Sequence, residues 1–320
     1  MIPRVLFANL PSPVELLPRL STALAGPHLW VKRDDLTGLA FGGNKTRKLE
    51  FVLAEAQANG ARTLITVGAA QSNHCRQTAA LAARVGLDCI LVLSGDPSMS
   101  TSGNLLLDRL FKAEIVWTSP EERPEVLKRT FDSAWADGRR PYLIPLGASN
   151  ATGALAYAYA FDELMQQQVK PDWIVHASSS GGTQAGLILG ALSAGWKGKI
   201  LGISIDEPAQ VLKKTVAALA SEASERLGEK MLIKPEDVLV NDEYLGGGYG
   251  VMGVLEQQAI QLFAQQEGLL LDPVYTGRAA AGLIDLIRKG FFKPEETILF
   301  WHTGGTPALF AEPYLSQLTS

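Results

Sequence analysis

Short apolar runs rich in β-branched residues alternate with helical patterns along almost the whole of this 320-residue chain. The candidate strands are residues 64–67, 89–93, 114–117, 142–145, 173–177, 200–205 and 298–301. A representative helical pattern has apolar residues at i, i+3, i+4 and i+7 from Leu49 and ends at Asn59-Gly60. This alternation predicts an α/β fold with a mostly parallel sheet covered by helices on both faces. In such a fold, ligands bind at the carboxyl ends of the strands.

The composition excludes several classes of protein. With 47% hydrophobic and 19% charged residues the chain is of ordinary globular type, long enough for two domains or one large α/β unit. Its net charge of -4 favours neither nucleic acid nor an anionic membrane as a partner. Neither a signal-peptide pattern nor a membrane-spanning stretch is present, and four scattered histidines indicate no metal site. The two cysteines show no CxxC spacing or disulfide framework, so we expect a cytoplasmic protein.

Lys45 directly follows Gly42-Gly43-Asn44 at the predicted start of a helix. Most lysines at a helix start are simply solvated, but a cation is unfavourable at a helix N-terminus. A phosphate-binding loop of the Walker A type does not fit, because Asn44 stands where its lysine should be. A lysine that forms a Schiff base loses its charge, and Schiff-base chemistry is what pyridoxal phosphate requires.

A second glycine-rich loop, residues 178–186, lies between an apolar strand and an apolar helix. Ser180, Gly181, Gly182 and Thr183 offer backbone N–H groups and hydroxyls to an anion at a helix N-terminus. No lysine or arginine lies in the loop, so a monophosphate suits it better than a nucleoside triphosphate. An ordinary strand-to-helix turn is the alternative.

Three further segments also follow predicted strands. Gln71-Ser72-Asn73-His74 opens a helix, so Ser72 or Asn73 could be an N-cap, or the segment could bind a substrate carboxylate and a cofactor hydroxyl. Residues 271–277 are expected to end a strand and enter a helix, with Thr276 as a possible cap, and residues 302–306 to end the last strand.

Residues 248–253 match GxGxxG, but the polar, glycine-rich stretch before them is a poor context for a dinucleotide site. Tyr249 is more plausible as a residue over an active site, because residues 221–250 are the least regular part of the chain and are expected to form long loops there. A nicotinamide oxidoreductase and a non-catalytic binding protein are the alternatives from other functional classes.

Four motifs together resemble one family. Gly42–Leu49, Gln71–His74, Asp272–Tyr275 and His302–Gly305 occur in order and with family-like spacing. The chain resembles the fold type II pyridoxal-phosphate enzymes of the 1-aminocyclopropane-1-carboxylate (ACC) deaminase and D-cysteine desulfhydrase group. The resemblance implies two open, mostly parallel twisted sheets with helices on both faces. It also implies a homodimer with a large cofactor domain of residues 1–47 and 155–320, and a small domain of residues 48–154 that closes over a small amino-acid substrate.

The resemblance also implies roles for individual residues. Lys45 would form the Schiff base, and Ser72, Tyr249 and Tyr275 would act with it in catalysis. The remaining cofactor contacts would come from Asn73, Ser180, Gly181, Gly182, Thr183, Thr276 and Thr303. The substrate would meet Gln71, Ser72, Asn73, Tyr249 and Tyr275.

Two positions depart from the ACC deaminase branch, which carries a glutamate where this chain has Thr276 and a leucine where it has Thr303. A carboxylate near the pyridine nitrogen keeps it protonated and strengthens the electron sink, whereas a threonine hydroxyl does so less well. Loss of a thiolate needs less carbanion stabilisation than opening a cyclopropane. Together with these two positions, the resemblance implies β-elimination, first from D-cysteine to pyruvate, hydrogen sulfide and ammonia, with L-cysteate and then ACC as alternative substrates.

Overall fold

Two separate β-sheets form the framework of the protein in this computed structural model, which describes residues 2–319. The strands are β1 Val14–Leu16, β2 His28–Arg33, β3 Thr63–Ala69, β4 Asp88–Ser94, β5 Glu114–Thr118, β6 Pro141–Leu143, β7 Trp173–Ser178, β8 Lys199–Ser204, β9 Leu239–Asn241 and β10 Thr297–His302. One sheet has the order β1-β2-β10-β7-β8-β9 and is parallel except for β1, which pairs antiparallel with β2. The other has the order β5-β4-β3-β6 and is entirely parallel.

Helices follow most strands and cover both sheets. They are α1 Pro18–Leu24, α2 Asn44–Ala58, α3 Asn73–Val85, α4 Gly103–Leu110, α5 Arg123–Ala136, α6 Ala151–Gln166, α7 Gly182–Ser193, α8 Ala209–Leu227, α9 Val254–Glu267, α10 Thr276–Arg288 and α11 Tyr314–Thr319. Short 3-10 turns occupy Asp34–Leu36, Leu146–Ala148, Pro235–Asp237 and Thr306–Phe310. The two-sheet α/β fold is thus as predicted, with parallel strands whose carboxyl ends face the loops that lead into helices.

The seven predicted strands correspond to β3 to β8 and β10, although β6 ends at Leu143 rather than at Pro145. Three strands were not predicted: β1 and β9 have only three residues each, and β2 ends in two charged residues. The strand expected before Asp272 is absent, because residues 268–272 form an irregular connection after α9. The expected irregular region begins at residue 228 rather than 221, since α8 runs to Leu227.

Separate apolar clusters pack against each sheet. A buried polar centre connects the start of α2 to the six-stranded sheet. Asp34, which is fully buried, accepts hydrogen bonds from Arg47 on α2, Tyr157 on α6 and Trp301 on β10. Burial alone would raise the pKa of Asp34, but the charge and hydrogen bonds of Arg47 outweigh it and the pKa is lowered. The ionised carboxylate therefore fixes the helix that begins one residue before Lys45.

Candidate active site

Most of the predicted site residues line one cavity of about 750 Å³ that opens between the carboxyl ends of the two sheets. They are Lys45, Ser72, Asn73, Ser180, Gly181, Thr183, Tyr249, Tyr275 and Thr303. Three predicted residues do not line it. Gln71 bonds instead to Ser102 and Asn104, while Gly182 and Thr276 are buried behind the wall. The structure thus brings together side chains that are more than 200 residues apart in sequence.

The turn before Lys45 is fixed by backbone hydrogen bonds to the residues that directly follow β2 and β10. Gly43 N–H donates to the carbonyl of Asp34 at 2.8 Å, and Asn44 N–H donates to that of Thr303 at 3.0 Å. Gly43 has φ 125°, and a Cβ there would lie 2.6 Å from the Gln77 side chain and 3.0 Å from the Thr303 carbonyl oxygen. Only glycine suits this position, and it places Lys45 in the first turn of α2.

The Lys45 amine lies in the cavity, where Nζ is 3.2 Å from Asn44 Oδ1. Burial lowers the pKa of Lys45 to about 8, and the nearby Asp272 carboxylate opposes part of that shift. A lowered pKa increases the neutral, nucleophilic fraction of the amine at physiological pH, as a lysine that attacks an aldehyde requires.

The loop of residues 178–186 approaches Lys48, a second lysine of α2 that the sequence analysis did not single out. Lys48 is fully buried, and its Nζ donates to the Gly147 carbonyl at 3.2 Å and to Ser149 Oγ at 3.3 Å. A Cβ on Gly182 would lie only 3.0 Å from this Nζ. The i, i+3 spacing from Lys45 was the available signal, because it places both lysines on one face of the helix.

Lys48 forms no salt bridge within residues 2–319. Burial and the charge of Lys45 lower its pKa well below the ordinary value. A buried lysine without a carboxylate partner is costly unless an anion offsets its charge. A bound anion would favour the protonated form of Lys48, and α2 would then supply the positive charge that the loop itself lacks.

Asn73 is oriented by a network formed by Gln71, Asn73, Arg76 and Asn104, called here the Asn104 network. Asn104 Nδ2 donates to Asn73 Oδ1 at 2.9 Å and to the Gln71 carbonyl at 2.8 Å. Arg76 Nη1 donates to Asn104 Oδ1 at 2.9 Å and to Asn73 Oδ1 at 3.3 Å. Since arginine only donates, Asn73 must present its oxygen to the network and its Nδ2 toward Gly305 on the opposite side.

Ser72 is the N-cap of α3, and its Oγ accepts from Cys75 N–H at 3.2 Å. Ser72 can therefore be both the N-cap of α3 and a residue of the cavity wall, because the cap uses the hydroxyl oxygen of Ser72 and not its proton.

The Asp272 carboxylate is bonded within its own turn. Oδ1 accepts from the N–H and hydroxyl of Thr276, and Oδ2 accepts from the N–H groups of Val274 and Tyr275. The Thr276 hydroxyl is directed at this carboxylate.

Tyr249 and Tyr275 lie in contact in the cavity wall, with their hydroxyl oxygens 2.7 Å apart and their rings edge to face. Burial raises the pKa of both phenols, so each retains its proton near neutral pH. The loop that carries Tyr249 is fixed by Arg278, whose guanidinium donates to the carbonyls of Gly248 and Val251. Residues 248–253, which match GxGxxG, therefore lie in a loop of residues 242–253 that is held by hydrogen bonds. A dinucleotide site would instead have a tight strand-to-helix turn.

Comparison with known proteins identifies the family. The sequence profile of a family described as pyridoxal-phosphate dependent enzyme matches residues 5–304. This chain belongs to that family. It is also 44% identical over 326 aligned positions to the D-cysteine desulfhydrase of Klebsiella pneumoniae (strain 342), covering 98% of this chain and 97% of that protein. A nicotinamide oxidoreductase and a non-catalytic relic are thereby disfavoured.

Solved structures agree on the fold. A crystal structure described as an ACC deaminase homologue has a TM-score of 0.91 and 40% identity, covering 99% of this chain and 96% of that one. A fungal L-serine ammonia-lyase from Rhizomucor miehei has a TM-score of 0.66 at 18% identity, with 96% of each chain covered, which supports the fold alone. None of the helices within residues 2–319 is long and apolar enough to cross a bilayer.

The residues present fit pyridoxal phosphate. The cavity offers an amine of lowered pKa at Lys45, and the buried amine of Lys48, whose protonated form a phosphate would stabilise, lies against the loop of residues 178–186. On the opposite wall, the Asn73 amide nitrogen is left free by the Asn104 network. An aldehyde, a phosphate and a ring oxygen each find a suitable group in this arrangement.

Proposed function

We propose that this protein is a pyridoxal-phosphate-dependent carbon–sulfur lyase that converts D-cysteine and water to pyruvate, hydrogen sulfide and ammonia. The proposal is carried by the convergence of Lys45, Ser72 and the Tyr249–Tyr275 pair on one cavity. The similarity to a D-cysteine desulfhydrase over almost the full chain favours this substrate. Thr276, which replaces the glutamate of ACC deaminases, favours elimination over cyclopropane opening.

In this proposal the cofactor is held by both walls of the cavity. Lys45 is the residue of covalent attachment. Lys48 and the loop residues Ser180, Gly181 and Thr183 bind the phosphate, with Gly182 behind them allowing the close approach of Lys48. Asn73 Nδ2 donates to the ring oxygen and Thr303 lies on the ring side, whereas Thr276 acts from behind the wall through Asp272. Bound pyridoxal phosphate supplies an electron sink that stabilises negative charge at the α-carbon of an amino acid.

The chain's own groups then bind the substrate and move protons. The hydroxyl proton of Ser72, which the N-cap bond does not use, can donate to the substrate carboxylate at the start of α3. Lys45 Nζ, once free, is placed to take the α-proton, since its lowered pKa makes it an effective base near neutral pH. Tyr249 and Tyr275 retain their protons and can donate to the departing sulfur. The Cα–H and Cβ–S bonds break, and water completes the release of pyruvate and ammonia.

The organisation of the chain is part of the proposal. The small domain comprises residues 48–154, which contain the whole four-stranded sheet, and the large domain comprises residues 1–47 and 155–320. We also propose that two copies form a homodimer and that the protein acts in the cytoplasm. The two cysteines, Cys75 and Cys89, are buried free thiols, as a reducing compartment would maintain.

The test is to incubate the cofactor-loaded protein separately with D-cysteine and L-cysteine and to measure pyruvate and sulfide. We expect both products in equal amounts from the D isomer only. ACC should yield no 2-oxobutyrate under the same conditions. A protein that binds pyridoxal phosphate but releases neither product from D-cysteine would contradict the proposed substrate while leaving the family assignment intact.

A further inference from the structure

We propose that Arg123 and Ser94 form a subsite in the cavity that binds the β-substituent of the substrate and favours substituents that carry negative charge. This inference rests on the proposed function, because it assumes that a small amino acid occupies the cavity. No sequence motif pointed to either residue. Both belong to the wall formed by the four-stranded sheet.

The position of Arg123 follows from the register of that sheet. Ala69 on β3, Ser94 on β4 and Thr118 on β5 are aligned neighbours at the carboxyl ends of three parallel strands. The β3 end continues directly into Ser72, and the β5 end leads to α5, of which Arg123 is the first residue. Arg123 Nε donates to the buried Ser94 Oγ at 2.8 Å, and both side chains line the cavity.

The rest of the guanidinium is unengaged. Among residues 2–319, Arg123 forms no salt bridge, and its Nη1 and Nη2 donate to no protein atom. The acidic side chains of the cavity wall, Asp96 and Asp206, do not pair with Arg123: Asp96 Oδ1 accepts from Ser98, and Asp206 Oδ2 accepts from Ser179. A half-buried arginine with one fixed nitrogen presents its other donors as a fork for an anion.

The charge of Arg123 also reaches the start of α3. Arg123 bonds to Ser94, which is aligned with Ala69, three residues before Ser72. Burial raises the pKa of the Cys75 thiol in the same turn, and the positive charge of Arg123 opposes that rise. Ser72, at this turn, already offers a donor for the substrate carboxylate. Arg123 therefore offers a second anion-binding position in the cavity, as expected for the group attached to Cβ of the same substrate molecule. For D-cysteine, that group is the sulfur that leaves with negative charge.

The test uses three ligands that cannot lose a β-substituent as thiolate: D-aspartate, its neutral isostere D-asparagine, and D-alanine. Their apparent dissociation constants are measured by calorimetry on the cofactor-loaded protein, so the result does not depend on turnover of D-cysteine. We expect the wild type to prefer D-aspartate to D-asparagine. Arg123→Gln should reduce that preference about tenfold or more, the usual scale for a lost charged hydrogen bond, and leave D-alanine binding unchanged.

Arg129→Gln is the matched control, because Arg129 is an exposed arginine on the same helix. Ser94→Ala should act in the same direction with a smaller effect, since it releases Nε without removing the charge. Equal weakening of all three ligands in Arg123→Gln would overturn the proposal and assign Arg123 to the α-carboxylate. A wild type that binds D-alanine without distinguishing D-aspartate from D-asparagine would also overturn it, as would an unchanged preference in Arg123→Gln. Failure of even D-alanine to bind would instead count against the proposed amino-acid substrate.

Discussion

At the cavity wall formed at the six-stranded sheet, Lys45 and the loop of residues 178–186 are placed by backbone geometry. At the wall formed at the four-stranded sheet, the groups that face the cavity are oriented by side-chain hydrogen bonds. On the first wall, glycine turns place Lys45 and the loop of residues 178–186 through main-chain contacts and tight approaches. On the second, the Asn104 network and the Arg123–Ser94 bond orient the groups that face the cavity. The first wall is therefore suited to holding a constant cofactor, and the second can change its specificity by single side-chain replacements.

The largest effect should come from removing the reactive group of the first wall. Lys45→Ala is expected to reduce turnover of D-cysteine by at least about 10³-fold, because no other side chain can replace a covalent lysine. The yellow colour after cofactor loading should also be lost, while the circular dichroism spectrum is retained. Lys128→Ala, at an exposed lysine, is the control. A coloured and active Lys45→Ala variant would refute the assignment of this residue.

A second experiment tests whether the first wall depends on the buried anchor beneath it. Asp34→Asn removes the charge that pairs with Arg47 and should lower the free energy of unfolding by about 3 kcal/mol, as is typical when one partner of a buried pair is lost. Asp132→Asn, which breaks an exposed pair with Lys128, should cost less than about 1 kcal/mol. Equal midpoints of chemical denaturation for the two variants would show that the anchor adds no stability.

The same contrast explains what could be predicted from the sequence. Glycine turns leave a local signature, so Lys45 and the loop of residues 178–186 were recognised from a few adjacent residues. The wholly apolar β3 and β4 were equally visible because strands of a parallel sheet are buried on both faces. β2 was missed because its buried Lys32 is neutralised by Glu163, which is 131 positions away in sequence.

Long-range contacts of this kind also account for the residues that were missed in the site. Arg123 carries no local signal, since its proposed role depends on the alignment of β4 with β5. Gln71 was predicted to contact the substrate, but its side chain is engaged by α4 through Asn104, a contact that no motif encodes. Asp272 is an exception, because the four hydrogen bonds to its carboxylate come from residues two to four positions later and form only in the folded turn.

The second wall can be perturbed selectively at Asn104. In Asn104→Asp the side chain keeps its size and can still accept from Arg76, but it can no longer donate to Asn73 Oδ1 or to the Gln71 carbonyl. We expect cofactor affinity, measured by absorbance titration of the cofactor-free protein, to fall about tenfold because Asn73 is no longer fixed. Thermal stability should change little. Asn59→Asp, at an exposed amide after α2, should have no effect on affinity, and unchanged affinity in both variants would contradict the positioning role.

The smallest expected effect concerns the pH dependence of cofactor loading at Lys45. Only the neutral amine attacks an aldehyde, and burial lowers the pKa of this amine to about 8. The loading rate of the cofactor-free protein should therefore rise about tenfold per pH unit below that pKa and level off above about pH 9. If Lys45 were a solvated lysine, with a pKa of about 10.4, the loading rate would keep rising beyond pH 10. The loading rate is measured by stopped-flow absorbance at each pH. The rate of the cofactor with Nα-acetyl-lysine, measured at the same pH values, corrects for ionisations of the cofactor itself. A profile that follows the free amine would mean that the glycine turns place Lys45 without burying it, and the difference between the two walls would then be one of position rather than electrostatics.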